Sequence, residues 1–285
     1  MGETEDTKKL RVRNSVFNWG EQTYIMGVLN VTPDSFSDGG DFDCLERAIE
    51  GAQKLVNAGV DILDIGGQST RPGAEEVSIV EEINRVLPVI KALRKAGFDV
   101  PISVDTTRSE VARAAIECGA DIVNDISGAT FDEKMLSTVA GLDVPIVLMH
   151  IRGTPQTMQK LTEYKDLVGE IYEFFSQRIE AAVGAGVSRS NIILDPGIGF
   201  AKTYEQNLEL IRKLGDFSGL GCPLLVGPSR KSFIGHILNK PIPKDRVWGT
   251  SAVCSAAVSF GVDILRVHDV AEMRDVVRVA DAIFR

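Results

Sequence analysis

Residues that could do chemistry or bind an anion recur along this chain, each just after a short apolar run. Asn30 follows the first run, Gly67-Gln68-Ser69-Thr70-Arg71 the second and Asp105 the third. Asn124 and Asp125, His150, Asp195, Ser229-Arg230-Lys231 and Arg266-Val267-His268 follow in the same way. Arg71, Lys231 and Arg266 suggest an anionic ligand, because a guanidinium forks onto phosphate oxygens. Each group also has a plainer reading. Asp105, Asn124 and Asp195 could cap the helices that follow them. Asp64 and Asp125 stand between supporting a site and holding a turn. Lys202 either adds positive field or is an exposed lysine at a helix start. Asp195 precedes Pro196-Gly197-Ile198-Gly199-Phe200, whose glycines let backbone come close to a ligand.

The 3 histidines are dispersed. His236 reads as a surface residue, and His150 as a packed, hydrogen-bonded residue or a chemical one. His268 lies two positions after Arg266 and so shares its strand face, which favours contact with an anion. No HExxH motif or His/Asp cluster is present, so a tightly held catalytic zinc is not expected. A single carboxamide such as Asn30 is a weak ligand for a hard cation. It suits Mg²⁺ delivered with a polyphosphate that brings its own oxygens. Neither a G-x-x-x-x-G-K-[ST] loop nor a G-x-S-x-G elbow occurs.

Residues placed this regularly need a scaffold that presents strand ends to one side. The apolar runs lie at 24–29, 60–65, 100–104, 120–123, 144–149, 191–194, 223–227 and 262–267. They are short and rich in Val, Ile and Leu without strict alternation, as in parallel strands buried on both faces. Leu45, Ala48, Ile49, Ala52, Leu55 and Val56 recur at helical spacing between them, as do Leu167, Ile171, Phe174 and Phe175. One junction repeats: Gly59-Val60-Asp61-Ile62, Gly119-Ala120-Asp121-Ile122 and Gly261-Val262-Asp263-Ile264 each place a helix-ending glycine before a strand. This rhythm predicts an α/β fold, a (β/α)8 TIM barrel, whose sites lie at the C-terminal ends of its strands. A doubly wound open sheet is the alternative. Residues 10–23 are expected to form a short N-terminal hairpin that plugs the bottom of the barrel.

Composition narrows the partners. The 285 residues include 31 basic and 40 acidic side chains, a net charge of −9, which argues against a general nucleic-acid surface. The 4 cysteines are scattered and expected to be reduced. No apolar run reaches membrane-spanning length, and the polar opening MGETEDTKKL resembles neither a signal nor a transit peptide. The expectation is a disordered tail over 1–9, one domain over 10–285, and a cytoplasmic location.

Taken together the motifs point to a family. MGVLNVTPDSFSDGG (26–40), DIGGQSTRPGA (64–74), SVDT (103–106), NDISG (124–128), LMH (148–150), DPGIGFAKT (195–203), SRKSFIG (229–235) and RVHDV (266–270) follow one another in order. The chain thereby resembles the dihydropteroate synthases, the pterin-binding family that sulfonamides inhibit, over almost its whole length. Gln68, where Glu is commoner, is a minor departure. The resemblance implies condensation of p-aminobenzoate with 6-hydroxymethyl-7,8-dihydropterin pyrophosphate, giving 7,8-dihydropteroate and pyrophosphate, with Mg²⁺ as cofactor and a homodimer as the assembly.

It also implies roles. Asp105, Asn124, Met149, Asp195 and Lys231 would bind the pterin, and Asn30, Arg266 and His268 the pyrophosphate, with Asn30 on the metal. Phe36, Thr70, Arg71, Pro72, Phe200, Lys231 and Ser232 would form the aminobenzoate slot. Asp105, Lys231, Asp38 and Arg266 would assist the chemistry, with residues 32–40 as a mobile lid. Other readings remain: a methyltransferase of the same fold using methyltetrahydrofolate, an aldolase-like barrel with Lys231 as Schiff-base amine, and a non-catalytic pterin binder.

Overall fold

The computed structural model describes residues 9–31, 41–71 and 73–285. Strands β1 (Lys9–Val12) and β2 (Ser15–Asn18) form an antiparallel hairpin. The barrel strands are β3 (Tyr24–Asn30), β4 (Ile62–Gly66), β5 (Ile102–Asp105), β6 (Ile122–Asp125), β7 (Ile146–Met149), β8 (Ile192–Asp195), β9 (Leu225–Val226) and β10 (Ile264–Val267). All neighbouring pairs in this 8-stranded sheet are parallel, in the order β8-β7-β6-β5-β4-β3-β10-β9. A single bridge, Leu194 to Leu224, joins β8 to the approach of β9 and closes the cylinder. The (β/α)8 barrel and its hairpin are therefore as the sequence predicts.

Helices α1 (Asp41–Asn57), α2 (Ile79–Lys95), α3 (Ser109–Glu117), α4 (Met135–Leu142), α5 (Leu167–Gly184) and α6 (Tyr204–Arg212) each follow a strand. The seventh unit carries two, α7 (Ser232–Leu238) and α8 (Val247–Ser259), and α9 (Val270–Phe284) follows β10. α6 shows why these helices start where they do. Thr203 accepts from the Gln206 N–H while the Gln206 side chain accepts from the Thr203 N–H, satisfying two N-terminal donors reciprocally.

Alternation along the strands assigns each side chain a layer. Ile65, Val104, Val123, Leu148, Leu194 and Leu265 face outward into one core shared with the helices. Met26, Ile62, Ile122, Val147, Ile193, Leu225 and Ile264 face inward and form an apolar floor with Leu10, Val12 and Phe17 of the hairpin. Phe17 stacks on Trp19 at 5.6 Å and meets Tyr24 edge-on at 4.8 Å. The hairpin thus seals the bottom of the barrel.

Several strands begin two residues later than the apolar runs suggest, and the repeated Gly-x-Asp junction shows why. The Asp61 N–H donates to the Ile25 carbonyl at 2.9 Å, while its carboxylate accepts from the Ile25 N–H at 2.7 Å. Asp121 does the same to Ile102 at 2.7 and 2.8 Å, and Asp263 to Leu224 at 2.9 and 3.0 Å. One aspartate satisfies both backbone groups of a residue within one position of the start of the adjacent strand, so the junction ties off a ladder instead of extending it.

Candidate active site

Two residues above the apolar floor, the inward positions turn polar. Ile62 is followed by Asp64, Ile122 by Asn124, Ile193 by Asp195 and Ile264 by Arg266; Val147 is followed by Met149. On β5 the inward pair is Ser103 and Asp105. Strand register makes these residues neighbours: Asn30 is opposite Gly66, Gly66 opposite Asp105, Asp105 opposite Asn124, and Met149 opposite Asp195. Gly66 leaves room here, because a Cβ at that position would lie 3.3 Å from the Asp105 Cβ.

Arg266 is the hub of one side. Its Nε donates to Asp64 Oδ2 at 2.6 Å and its Nη2 to Asp105 Oδ2 at 2.8 Å. Asn124 Nδ2 lies 3.4 Å from both oxygens of Asp64, which fixes the carboxamide orientation. Two carboxylates share this one guanidinium. Burial lifts Asp105 to about 7; Arg266 opposes this and the Asp64 charge reinforces it. Burial alone would pull Arg266 down, but Asp64 and Asp105 outweigh it and hold the guanidinium charged.

The opposite side is built from Asp195, Lys231 and Phe200. Asp195 Oδ1 accepts from the Gly197 N–H at 2.8 Å, and burial raises its carboxyl to about 6 against the opposing field of Lys231. Lys231 Nζ lies 4.1 Å from the centre of the Phe200 ring, a cation–π contact. Burial, with Arg266 adding to it, brings Lys231 down to about 8. A side chain at Gly199 would meet Lys231 Cδ at 2.9 Å, and its φ of +84° also favours glycine. Arg230 holds a left-handed φ of 59°, a conformation that needs support. Its guanidinium pairs with Asp269, its N–H bonds Thr250 Oγ1 at 3.1 Å, and its carbonyl accepts from Arg246 at 2.8 Å. This frame aims the adjacent Lys231. Met149 packs with Ile126, Ile151, Met158, Phe200 and Ala201 as an apolar wall.

His268 lies at the end of β10, with Ser229 against it. The Ser229 hydroxyl accepts from the His268 N–H at 3.2 Å and lies 3.0 Å from Nδ1. With the serine proton assigned to Nδ1, the imidazole carries its own proton on Nε2 as a donor. Burial, then Arg230 and Arg266, push this imidazole down to about 3, so His268 is a neutral donor.

The other expected residues divide. Thr70 is half-buried and Arg71 exposed on the loop after β4, while Ser232 is exposed at the start of α7. The two half-buried cations, Arg266 and Lys231, thus adjoin one site while Arg71 is exposed. Gln68 Oε1 accepts from the Val77 N–H at 3.4 Å, a contact that stays within its loop. Phe36, Asp38, Pro72 and the Asn30 side chain lie outside the described residues. Asp125 holds a turn, accepting from the Ser127 N–H and hydroxyl at 2.7 and 2.6 Å. His150 is packed edge-on against Phe174, and His236 is exposed and lies against Tyr204. Asp64 and Lys202, like Asp125 and His150, are residues whose role the sequence leaves open. Asp64 orients Arg266 and Asn124, and Lys202 is only 3% exposed, so the exposed-lysine reading is wrong. The signal for Asp64 was its place two after an inward isoleucine; nothing local distinguished Lys202.

Among the described residues no group of His, Cys, Asp and Glu is arranged to hold a metal ion. No helix among them is long and apolar enough to cross a membrane.

Comparison with known proteins gives concordant results. Residues 26–268 match the family described as pterin binding enzyme. The chain is 59% identical over 276 residues to a dihydropteroate synthase of Synechocystis sp., covering 97% of this chain and 95% of that protein. Its fold is similar to a Clostridium difficile dihydropteroate synthase crystallised in the presence of pteroic acid (TM-score 0.89, 47% identity, 94% and 99% of the two chains). It is also similar to the Yersinia pestis dihydropteroate synthase in a sulfonamide complex (TM-score 0.90, 42% identity, 96% and 98% coverage).

Proposed function

The chain belongs to the pterin binding enzyme family, and from that premise we propose that it is a transferase making 7,8-dihydropteroate. Its substrates are p-aminobenzoate and 6-hydroxymethyl-7,8-dihydropterin pyrophosphate. The observation carrying this reading is the inward ring of Asp105, Asn124 and Asp195, with the Lys231 ammonium beside it and the Met149 wall at the same level.

The Asp195 carboxylate has one oxygen engaged by the Gly197 N–H and can accept from the guanidine-like edge of the pterin. Asn124 and Asp105 address other ring atoms, and Lys231 donates to the ring acceptors. Arg266 and the Nε2–H of His268 take the pyrophosphate, joined by Asn30, which ends β3 opposite Gly66. As the methylene carbon–oxygen bond breaks, pyrophosphate leaves with the bonding pair. The dihydropterin ring delocalises the resulting cation, and the Asp105 carboxylate stabilises it. The neutral arylamine then forms the carbon–nitrogen bond and releases a proton. Positioning and field carry the rate, so no protein nucleophile is required. Phe36, Thr70, Arg71, Pro72, Phe200, Lys231 and Ser232 define the arylamine slot, and Asp38 assists the chemistry.

The donor set fits Mg²⁺ only as a companion of the substrate: Asn30 offers one protein oxygen and the pyrophosphate supplies the others. When bound there, the ion neutralises charge on the leaving group. The face carrying α7 to α9 exposes Ile237, Trp248, Val279 and Ile283, and supports a homodimer across these helices. Free thiols at Cys118, Cys222 and Cys254 accord with a reducing cytoplasm.

The test is pyrophosphate release from the pterin pyrophosphate with and without p-aminobenzoate. Aminobenzoate-dependent release, competitively inhibited by a sulfonamide, is the expected outcome. Methyl transfer from methyltetrahydrofolate without such release would select the other pterin chemistry.

A further inference from the structure

We propose that Lys202 is a positioning residue: its buried ammonium locks the 195–203 loop and thereby sets both the pterin acceptor Asp195 and the arylamine wall Phe200. The inference rests on the pterin-binding reading of the site. Its basis is a count of donors and acceptors. Lys202 Nζ lies 3.2 Å from His150 Nδ1, 3.1 Å from the Gly197 carbonyl and 2.9 Å from the Phe200 carbonyl. An ammonium has three N–H donors, and each has one acceptor here. Burial, with Lys202 and Arg152 adding to it, pushes His150 down to about 2. The imidazole is therefore neutral and Nδ1 can accept.

The loop needs such a lock. Gly197, Gly199 and Ala201 take φ values of 72°, 84° and 50°, three left-handed residues alternating through one short segment. Ala201 has a Cβ and no glycine's freedom, so its conformation must be imposed by its surroundings. Around it, Tyr164 Oη donates to the Ala201 carbonyl at 3.1 Å, and Asn207 Oδ1 accepts from the Gly199 N–H at 2.6 Å. Lys202 binds the loop at two carbonyls and also ties it to the end of β7, through His150, while Asn207 Nδ2 holds the Thr203 carbonyl at 2.7 Å. The His150 N–H in turn donates to the Asp195 carbonyl at 2.9 Å.

Lys202 also acts through charge. Asp195 faces Lys231 from the start of α7, Arg266 from β10 and Lys202 from its own loop, and each favours its ionised form. Lys202 in turn faces Asp195, Lys231 and Arg152, with His150 and Tyr164 beside it. Burial brings Lys202 down to about 7, so its charge is held at modest cost near neutrality and is lost above it.

The decisive measurement is the affinity for 6-hydroxymethylpterin as a function of pH, in the wild-type protein and in Lys202→Met. Methionine keeps the unbranched stem and removes the three donors and the charge. Affinity is expected to fall about tenfold or more, from loss of buried hydrogen bonds. The acid limb of binding is expected to move to higher pH by about half a unit, because Asp195 loses a neighbouring cation. A loss of thermal stability with the limb unmoved overturns the proposal. Should Lys202→Met fail to fold, His150→Leu removes one acceptor and is expected to weaken the pterin, with recovery in His150→Asn. Wild-type affinity in His150→Leu overturns it equally. Because the readout is binding, it stands apart from the parent reading, which fails if the wild-type protein shows no aminobenzoate-dependent pyrophosphate release.

Discussion

Asp195 sits in a conflict between folding and binding. Its carboxyl is raised to about 6 chiefly by burial, above the ordinary 3.8. A raised carboxyl contributes its full share of stability below pH 3.8, where both folded and unfolded forms are protonated. That share is lost as pH rises through about 6, and the difference corresponds to about 3 kcal/mol. Asp195→Asn removes the ionisation and retains an oxygen for the Gly197 N–H. Its melting temperature should match the wild type near pH 4 and exceed it increasingly up to pH 7, in scanning calorimetry across pH. The same change should lower kcat/KM about 10- to 100-fold, since a charged acceptor is lost. Equal melting temperatures at neutral pH would show that the carboxylate is not under strain. Site residues of this kind were readable in the sequence because each stands at the end of a short apolar run, and the order of apolar and polar residues along a strand is a local property. Lys202 was not readable: only the folded loop shows that its ammonium meets three acceptors.

At the level of elements, the Gly-x-Asp junctions hold the start of the barrel. Asp121 combines two bonds to Ile102 with ion pairs to Arg94 at 2.5 Å and Arg13 at 3.2 Å. Asp121→Ala leaves the Ile102 N–H and the Arg94 guanidinium without this acceptor. It should reduce unfolding free energy by about 2–4 kcal/mol in urea titration. Steady-state kcat/KM should be unchanged, because this end of the barrel lies away from the polar ring. The sequence showed these junctions as a repeat and their glycines as helix ends, but placed the strands two residues early. Apolar character continues through Val60, Ala120 and Val262, whereas pairing is decided by a carboxylate standing in for a backbone group, which hydropathy does not record. Strand β9 shows the same error at both ends: residues 223–227 are all small or apolar, yet the strand is only Leu225 and Val226, with Leu224 in a lone bridge.

Over the whole molecule, the lumen is divided between an apolar floor and a polar upper storey, so stability and chemistry draw on different residues. Phe17 lies in the floor, 2% exposed, on a hairpin that contributes nothing to the polar ring. Phe17→Ala should cost about 3–5 kcal/mol, measured by denaturant unfolding, while the KM for both substrates stays near the wild-type value. The closed cylinder was legible from eight repeated units, but the place of its seam was not, since a seam is a relation between the seventh strand's approach and the sixth strand. That seam is one bridge, Leu194 to Leu224. It works as a clasp, with Asp195 just past it on one side and the segment leading to Lys231 on the other. The spacing between those two groups is therefore governed by loops and not by a rigid ladder, unlike that of Asp105 and Asn124 across β5 and β6. One wall of the pocket is spaced by strand register and the other by the loop frames around Lys202 and Arg230, so substitutions in those loops can retune that wall without rebuilding the barrel.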